Sequence, residues 1–218
     1  MSGIEQYLQP TEFFDFYKPK VKNKAIQITR GLKTDKEKAM ALFYWVRDNI
    51  IYRQGSFYLT KSTFKASMNL RRGYGFCVSK AILLSTLARV VKIPARIHLC
   101  DIINHKIPQK VIDYMKTNVF YVHGYSELYI NQKWIKLTPA FDKESSKRGN
   151  YVLVEFDGEH DAMFQSYDEQ GNLFVEYLND RGVFADVPFD EIKEVIIEKY
   201  KPMLEKAFNK IQADNKRF

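Results

Sequence analysis

Two residues carry the chemistry to ask about first: Cys77 in "RRGYGFCVSKAILLSTLARVVKIPAR" and His123 in "HGYSELYI". A thiol served by an imidazole is a nucleophile with its own general base and acid, suited to attack on an amide or ester carbonyl. Cys77 opens a long apolar run, so it stands at the N-terminus of an expected helix. There, unpaired backbone N–H groups and a partial positive charge favour a thiolate. The same N–H groups could serve an oxyanion formed on the attacked carbonyl. Gly73 and Gly75 would let a substrate backbone approach without side-chain obstruction. Against this stands the plainer reading of Cys77 as a packed small hydrophobe, which most lone cysteines are. His123 falls on an expected strand and shares a face with Tyr125, Glu127 and Tyr129, from which it could project toward the Cys77 helix terminus. His98, inside an apolar strand, reads as a satisfied core residue. His105, where a loop should begin in "DIINHKIP", is either structural or lines a site, and His160 in "GEHDAM" is a weaker candidate.

Other chemistries find little to stand on. Four histidines and two cysteines, Cys77 and Cys100, lack the close pairing of zinc ligands, so no metal and no cofactor is expected. "GYG" has neither the third glycine nor the Lys-Ser/Thr of a phosphate loop. Two cysteines in 218 residues are not a disulfide scaffold and fit a reducing compartment. The first twenty residues lack a basic start followed by an apolar stretch, and no apolar run approaches a membrane span. A cytoplasmic protein without a membrane partner is therefore expected. The 34 Lys and Arg outnumber the 26 Asp and Glu, giving +8, but they are spread along the chain. With no stripe of Arg interleaved with aromatics, a solvated Lys-rich surface is favoured over nucleic-acid binding, and oligomeric state is left open.

The elements that must position Cys77 and His123 follow from periodicity. Phe13, Phe14, Phe16 and Tyr17 pack one or two short N-terminal helices. Thr34 with Glu37 is a capping-box pattern, and Ala39, Leu42, Phe43, Val46 and Ile50 then repeat at helical spacing. "KSTFKASMNL" reads as a short helix. From Val78 to Val91 the chain is apolar on almost every face, interrupted by Ser79, Lys80, Ser85, Thr86 and Arg89, which marks a buried helix ended by Pro94. "ARIHLCDII", "VFYVHGYSELYI" and "KWIKLTPAF" read as strands, the last two joined by a tight "NQ" turn, and "YVLVEF" and "NLFVEYL" are strand-like. "PFDEIKEVIIEKYKPMLEKAFNKI" is an amphipathic helix broken or kinked at Pro202. Helices, then antiparallel strands, then a helix give an α+β fold.

In this setting "GYGFCVSKAILLSTLARVVKIPAR", "HGYSELYI" and "KWIKLTPAFD" resemble the transglutaminase-like superfamily of papain-like cysteine enzymes. The family pattern is G-x-C, a leucine-rich helix, G-I-P-A-R, H-x-x-x-E on a strand and W-x-x-x-D on the next. The likeness covers about residues 35–142, and the tail from "EHDAMF" resembles a bacterial branch. It implies a single domain over 1–218: a core at about 35–142, a helical extension at 1–34 and a strand–helix extension at 143–218. It also implies a central buried helix packed on an antiparallel sheet. The implied chemistry is a Cys–His–Asp triad passing through a thioester on a peptide or protein substrate, resolved by water or an amine. Cys77 carries over as nucleophile and His123 as base. The third position departs from the pattern: Thr138 stands where the family has Asp, and the nearest acid is Asp142. Asp142 is the preferred candidate, with Thr138 or a degenerate site as alternatives, and Glu127 takes a structural role. Tyr74 and Arg71 are candidates near the oxyanion, and Tyr74, Gly75, Asn104 and His105 are candidates for the substrate cleft. The Thr138 departure motivates the alternative of an inactive fold kept as a peptide-binding module.

Overall fold

A helix begins most readily where side chains can satisfy its unpaired first N–H groups. The computed structural model describes residues 3–56 and 58–205. A 3-10 turn at Ile4–Leu8 precedes α1 (Pro19–Ile28), whose first residue is a proline with φ already set for a helix. Phe13 and Phe14 are buried as expected, whereas Tyr17 is exposed. The capping box forms as read: the Glu37 N–H donates to Thr34 Oγ1 at 3.2 Å and the Thr34 N–H to Glu37 Oε2 at 2.9 Å. It opens α2 (Asp35–Asn49), which buries Ala39, Leu42, Phe43 and Val46. β1 (Ile51–Tyr52) follows. The single helix expected at "KSTFKASMNL" is split by extended Lys65 into α3 (Lys61–Phe64) and α4 (Ala66–Arg72). Gly73 ends α4 at φ 68°, the left-handed cap that glycine tolerates best. β2 (Tyr74–Gly75) then pairs in parallel with β1 and delivers the chain to α5 (Cys77–Val90).

α5 is the central helix, and its polar residues are as buried as its apolar ones. Each can be buried because a carbonyl receives it. Lys80 Nζ donates to the carbonyls of Arg47 and Ile50 at the end of α2, Ser85 Oγ to Arg96 O, and Thr86 Oγ1 to Ile82 O. Arg89 donates to three carbonyls, those of Gln9, Ala95 and Ala185, at 2.6–2.9 Å, and lies over the Phe14 ring.

The sheet has the order β5–β4–β3–β6 with every neighbour antiparallel. Its members are β3 (Ala95–Asn104), β4 (Val119–Ile130), β5 (Lys133–Leu137) and β6 (Val175–Phe184), with α6 (Gln109–Met115) between β3 and β4. Asn131 and Gln132, both at positive φ, make the two-residue turn between β4 and β5. One face of β4 meets α5: Ser126 Oγ donates to Ala81 O at 2.8 Å, and a Cβ on Gly124 would stand 3.0 Å from Val78 Cα. α7 (Lys143–Gly149) precedes β6, and α8 (Phe189–Lys199) follows it.

Two strand readings change. "YVLVEF" is not a strand, because its backbone is satisfied by side chains of α2. Tyr44 Oη donates to Phe156 O and accepts from its N–H, and Arg47 Nη1 donates to Val154 O. "NLFVEYL" enters β6 only at Val175, and the strand runs on to Phe184. α8 stops at Lys199 ahead of Pro202, residues 201–205 are again helical, and the rest of the expected helix lies outside the described residues. No helix among the described residues is long and apolar enough to cross a membrane.

Candidate active site

Cys77 is the first residue of α5, half-buried, at the place where β2 and β4 both press against the helix head. Gly75 makes that geometry possible, since a Cβ there would lie 2.3 Å from Ser79 Oγ. Ser79 Oγ accepts the Phe76 N–H at 2.9 Å and thereby caps the helix. The glycine thus makes room for the cap, where the sequence suggested room for substrate. Burial pushes the Cys77 thiol up; the nearby backbone N–H groups of Gly124, Val78 and Cys77 itself pull the other way without overcoming it. Burial of the sulfur thus works against the thiolate expected from a helix terminus.

His123 sits on β4 next to Gly124, so the residue that brings an N–H to the sulfur adjoins the one that brings the imidazole. The ring is 2% exposed, between Phe164 at 5.4 Å and Tyr177 at 6.4 Å. Burial alone pulls its imidazolium form down to about 3. Nε2 has no hydrogen-bond partner among the described residues. Cys77 and His123 wall the same cleft, which forks at them. One lobe, about 290 Å³, carries polar groups from Gln54, Asn104, Ser145 and Arg148. The other, about 350 Å³, is apolar, built by Val111, Met115, Phe120 and Ile196 among others.

The remaining candidates separate cleanly. Asp142 does not reach His123, which corrects the sequence-based choice of third residue. Its carboxylate caps α7 instead, accepting from the Ser145 N–H at 2.9 Å, Ser145 Oγ at 2.8 Å and the Tyr52 N–H at 2.7 Å. Burial would raise its pKa, but these bonds and the Lys80 charge outweigh it and hold the carboxyl below its ordinary value. Thr138 is buried with its Oγ1 unpartnered, as Nε2 of His123 is. Leu137 pairs with Ser126, so the register carries Thr138 to the level of Tyr125, two residues from His123. Asn104 lines the polar lobe as expected. His105 does not: it turns to Glu176. Tyr74 packs beneath the guanidinium groups of Arg53 and Arg72 and lines neither lobe, and Gly75 lines neither. Glu127 is structural, bonding Arg96 at 2.7 Å and His98 at 2.6 Å, while His98 also bonds Asp180. His160 lies on the surface beside Asp157.

Sequence reasoning missed Gly124, although "HG" after an apolar strand signals a close backbone approach. It also missed Arg148 and the Val122 backbone, for which no local signal exists.

The model of the Transglutaminase-like superfamily matches residues 22–139, more than half of the chain. The chain belongs to the transglutaminase-like superfamily. Its fold resembles that of a solved structure at low identity. A candidate cysteine protease from Cytophaga hutchinsonii superposes with a TM-score of 0.51 at 18% identity, covering 84% of this chain and 55% of the other. A candidate protease from Parabacteroides distasonis gives a TM-score of 0.40 at 14% identity, covering 62% and 25%. This transglutaminase-like chain thus spans about half the length of the first of these and a quarter of the second. No curated protein matches it.

Proposed function

We propose that the protein is a cysteine-dependent acyl-transfer enzyme acting on a peptide or amide, with Cys77 as nucleophile and His123 as general base. The observation that carries this is the shared cleft: Cys77 and His123 together wall one forked cavity. Both groups are uncharged at rest, so proton transfer accompanies attack. Sγ bonds the carbonyl carbon as its proton passes to His123, and the carbonyl electrons move to oxygen. Collapse breaks the C–N bond, and His123 returns the proton to the departing amine. Water, activated in turn by His123, cleaves the thioester to a carboxylic acid; an amine would instead give a new amide. Hydrolysis is favoured because water needs no site of its own.

The unpartnered Nε2 of His123 supports a second reading, an inactive fold that binds peptides in the cleft. A peptidyl vinyl sulfone decides between them. In an enzyme it labels Cys77, as read by intact mass. Cys77→Ala then abolishes labelling, and His123→Ala slows it by about 10²–10⁴-fold. Binding without labelling, insensitive to His123→Ala, would establish the module instead.

A further inference from the structure

Val122 has a backbone that its side chain resists: φ is 61°, a region costly for a β-branched residue. Such a conformation costs about 1–3 kcal/mol and persists only where its surroundings over-determine it. Here it directly precedes His123. The ladder shows why: Cys100 pairs with His123, but the next pair is Ile102 with Phe120. Tyr121 and Val122 therefore face the single residue Asp101, which makes a bulge. In a regular strand Phe120 and His123, three apart, would point to opposite faces. Across the bulge they line the same two lobes of the cleft.

The bulge gives up ladder hydrogen bonds, and side chains replace them. The Val122 N–H donates to Asp101 Oδ1 at 2.9 Å. The Tyr121 N–H donates to Tyr200 Oη at 2.9 Å, and that hydroxyl donates to Val119 O at 3.1 Å. Asp101 is itself gripped by Arg181, Nε to Oδ1 at 2.6 Å and Nη2 to Oδ2 at 2.8 Å. β6 is irregular close by, Gly182 pairing with Leu99 and Asp180 with Cys100, which leaves Arg181 out of the ladder and free to make this grip. We infer that Asp101, Arg181 and Tyr200 are positioning residues for His123: they lock the Tyr121–Val122 bulge that aims the imidazole into the cleft beside Cys77.

The inference rests on the Cys77–His123 reading, and the test separates the two. Turnover of p-nitrophenyl acetate reports transfer of the acetyl group to Cys77, with C–O cleavage and release of p-nitrophenolate. The ring signals of ¹⁵N-labelled histidine report the placement of His123 whether or not the protein turns over. Asp101→Ala should lower kcat by about 10–100-fold with KM little changed, and should shift the His123 signals. Adding Val122→Gly, for which positive φ is cheap, should recover most of both effects, a rescue that a merely structural role for Asp101 does not predict. Tyr200→Phe, which keeps the ring, should move both readouts in the same direction and serves if Asp101→Ala fails to fold. Native His123 signals and turnover in Asp101→Ala and Tyr200→Phe would overturn the inference, as would a double variant no better than Asp101→Ala. If the native protein shows no Cys77-dependent turnover, the enzyme reading falls, and the histidine signals alone judge the clamp.

Discussion

An imidazole whose charged form is pulled down to about 3 by burial stays neutral and accepts a proton only reluctantly, so a general-base role calls for a group that steadies the imidazolium. What it lacks is a group on its far side. Nε2 of His123 and Oγ1 of Thr138 are both buried and both unpartnered, and the resemblance of the sequence to the family implies a carboxylate at the position of Thr138. Losing an orienting carboxylate costs about 10⁴ in turnover in the serine triad, so restoring one should show. Thr138→Asp is expected to raise esterase turnover about tenfold or more and to raise the His123 pKa. The pH–rate profile and the histidine ring signals check both. Loss of activity with an unshifted His123 would mean that Thr138 does not face the ring.

At the scale of elements, the site depends on how closely β4 approaches the head of α5. Gly124 sets that distance, since any Cβ there meets Val78 Cα and Cγ2 at 3.0 Å. Gly124→Ala should therefore destabilise the protein by about 1–3 kcal/mol, the range for overpacking a core, and weaken the Gly124 N–H contact with sulfur. Thermal melting and the pH dependence of Cys77 alkylation read the two effects. Much of this level was legible in the sequence: the Thr34–Glu37 box, the buried run of α5, the β4–β5 hairpin and the placing of Cys77 and His123 all follow from local spacing. The rest depends on distant partners. "YVLVEF" alternates like a strand, yet Tyr44 and Arg47 take its backbone. Asp142 has the right charge near the right position, yet Ser145 and Tyr52 claim it. Val122 carries no glycine or asparagine signature, because its φ is held by Asp101 across the sheet.

For the whole molecule, burying a neutral histidine links stability to pH. The folded pKa of His123, about 3, lies below the ordinary 6.5, so between these values the unfolded chain binds the extra proton. Stability is then intact above pH 6.5 and falls as pH drops toward 3, by on the order of 4 kcal/mol from this group. Buried carboxylates such as Asp142, held below their usual range, lose stability in the same direction on acidification. His123→Phe should isolate the histidine share by flattening the slope of unfolding free energy between pH 6.5 and 4 in urea titrations. An unchanged slope would place the protonation elsewhere.

Arg89 ties this economy to the path of the chain. Its three carbonyl partners come from the N-terminal turn, the entry to β3 and the segment after β6, and two of them lie 80 and 96 residues away. A fragment cut to the family core at 22–139 would keep Ala95 but lose Gln9 and Ala185, leaving the Arg89 guanidinium with one of its three carbonyl partners. Each buried donor so stranded costs about 1–3 kcal/mol. The superfamily core in this protein is therefore not a portable module: it has grown dependent on its flanks, and pruning or grafting it would have to begin by replacing Arg89.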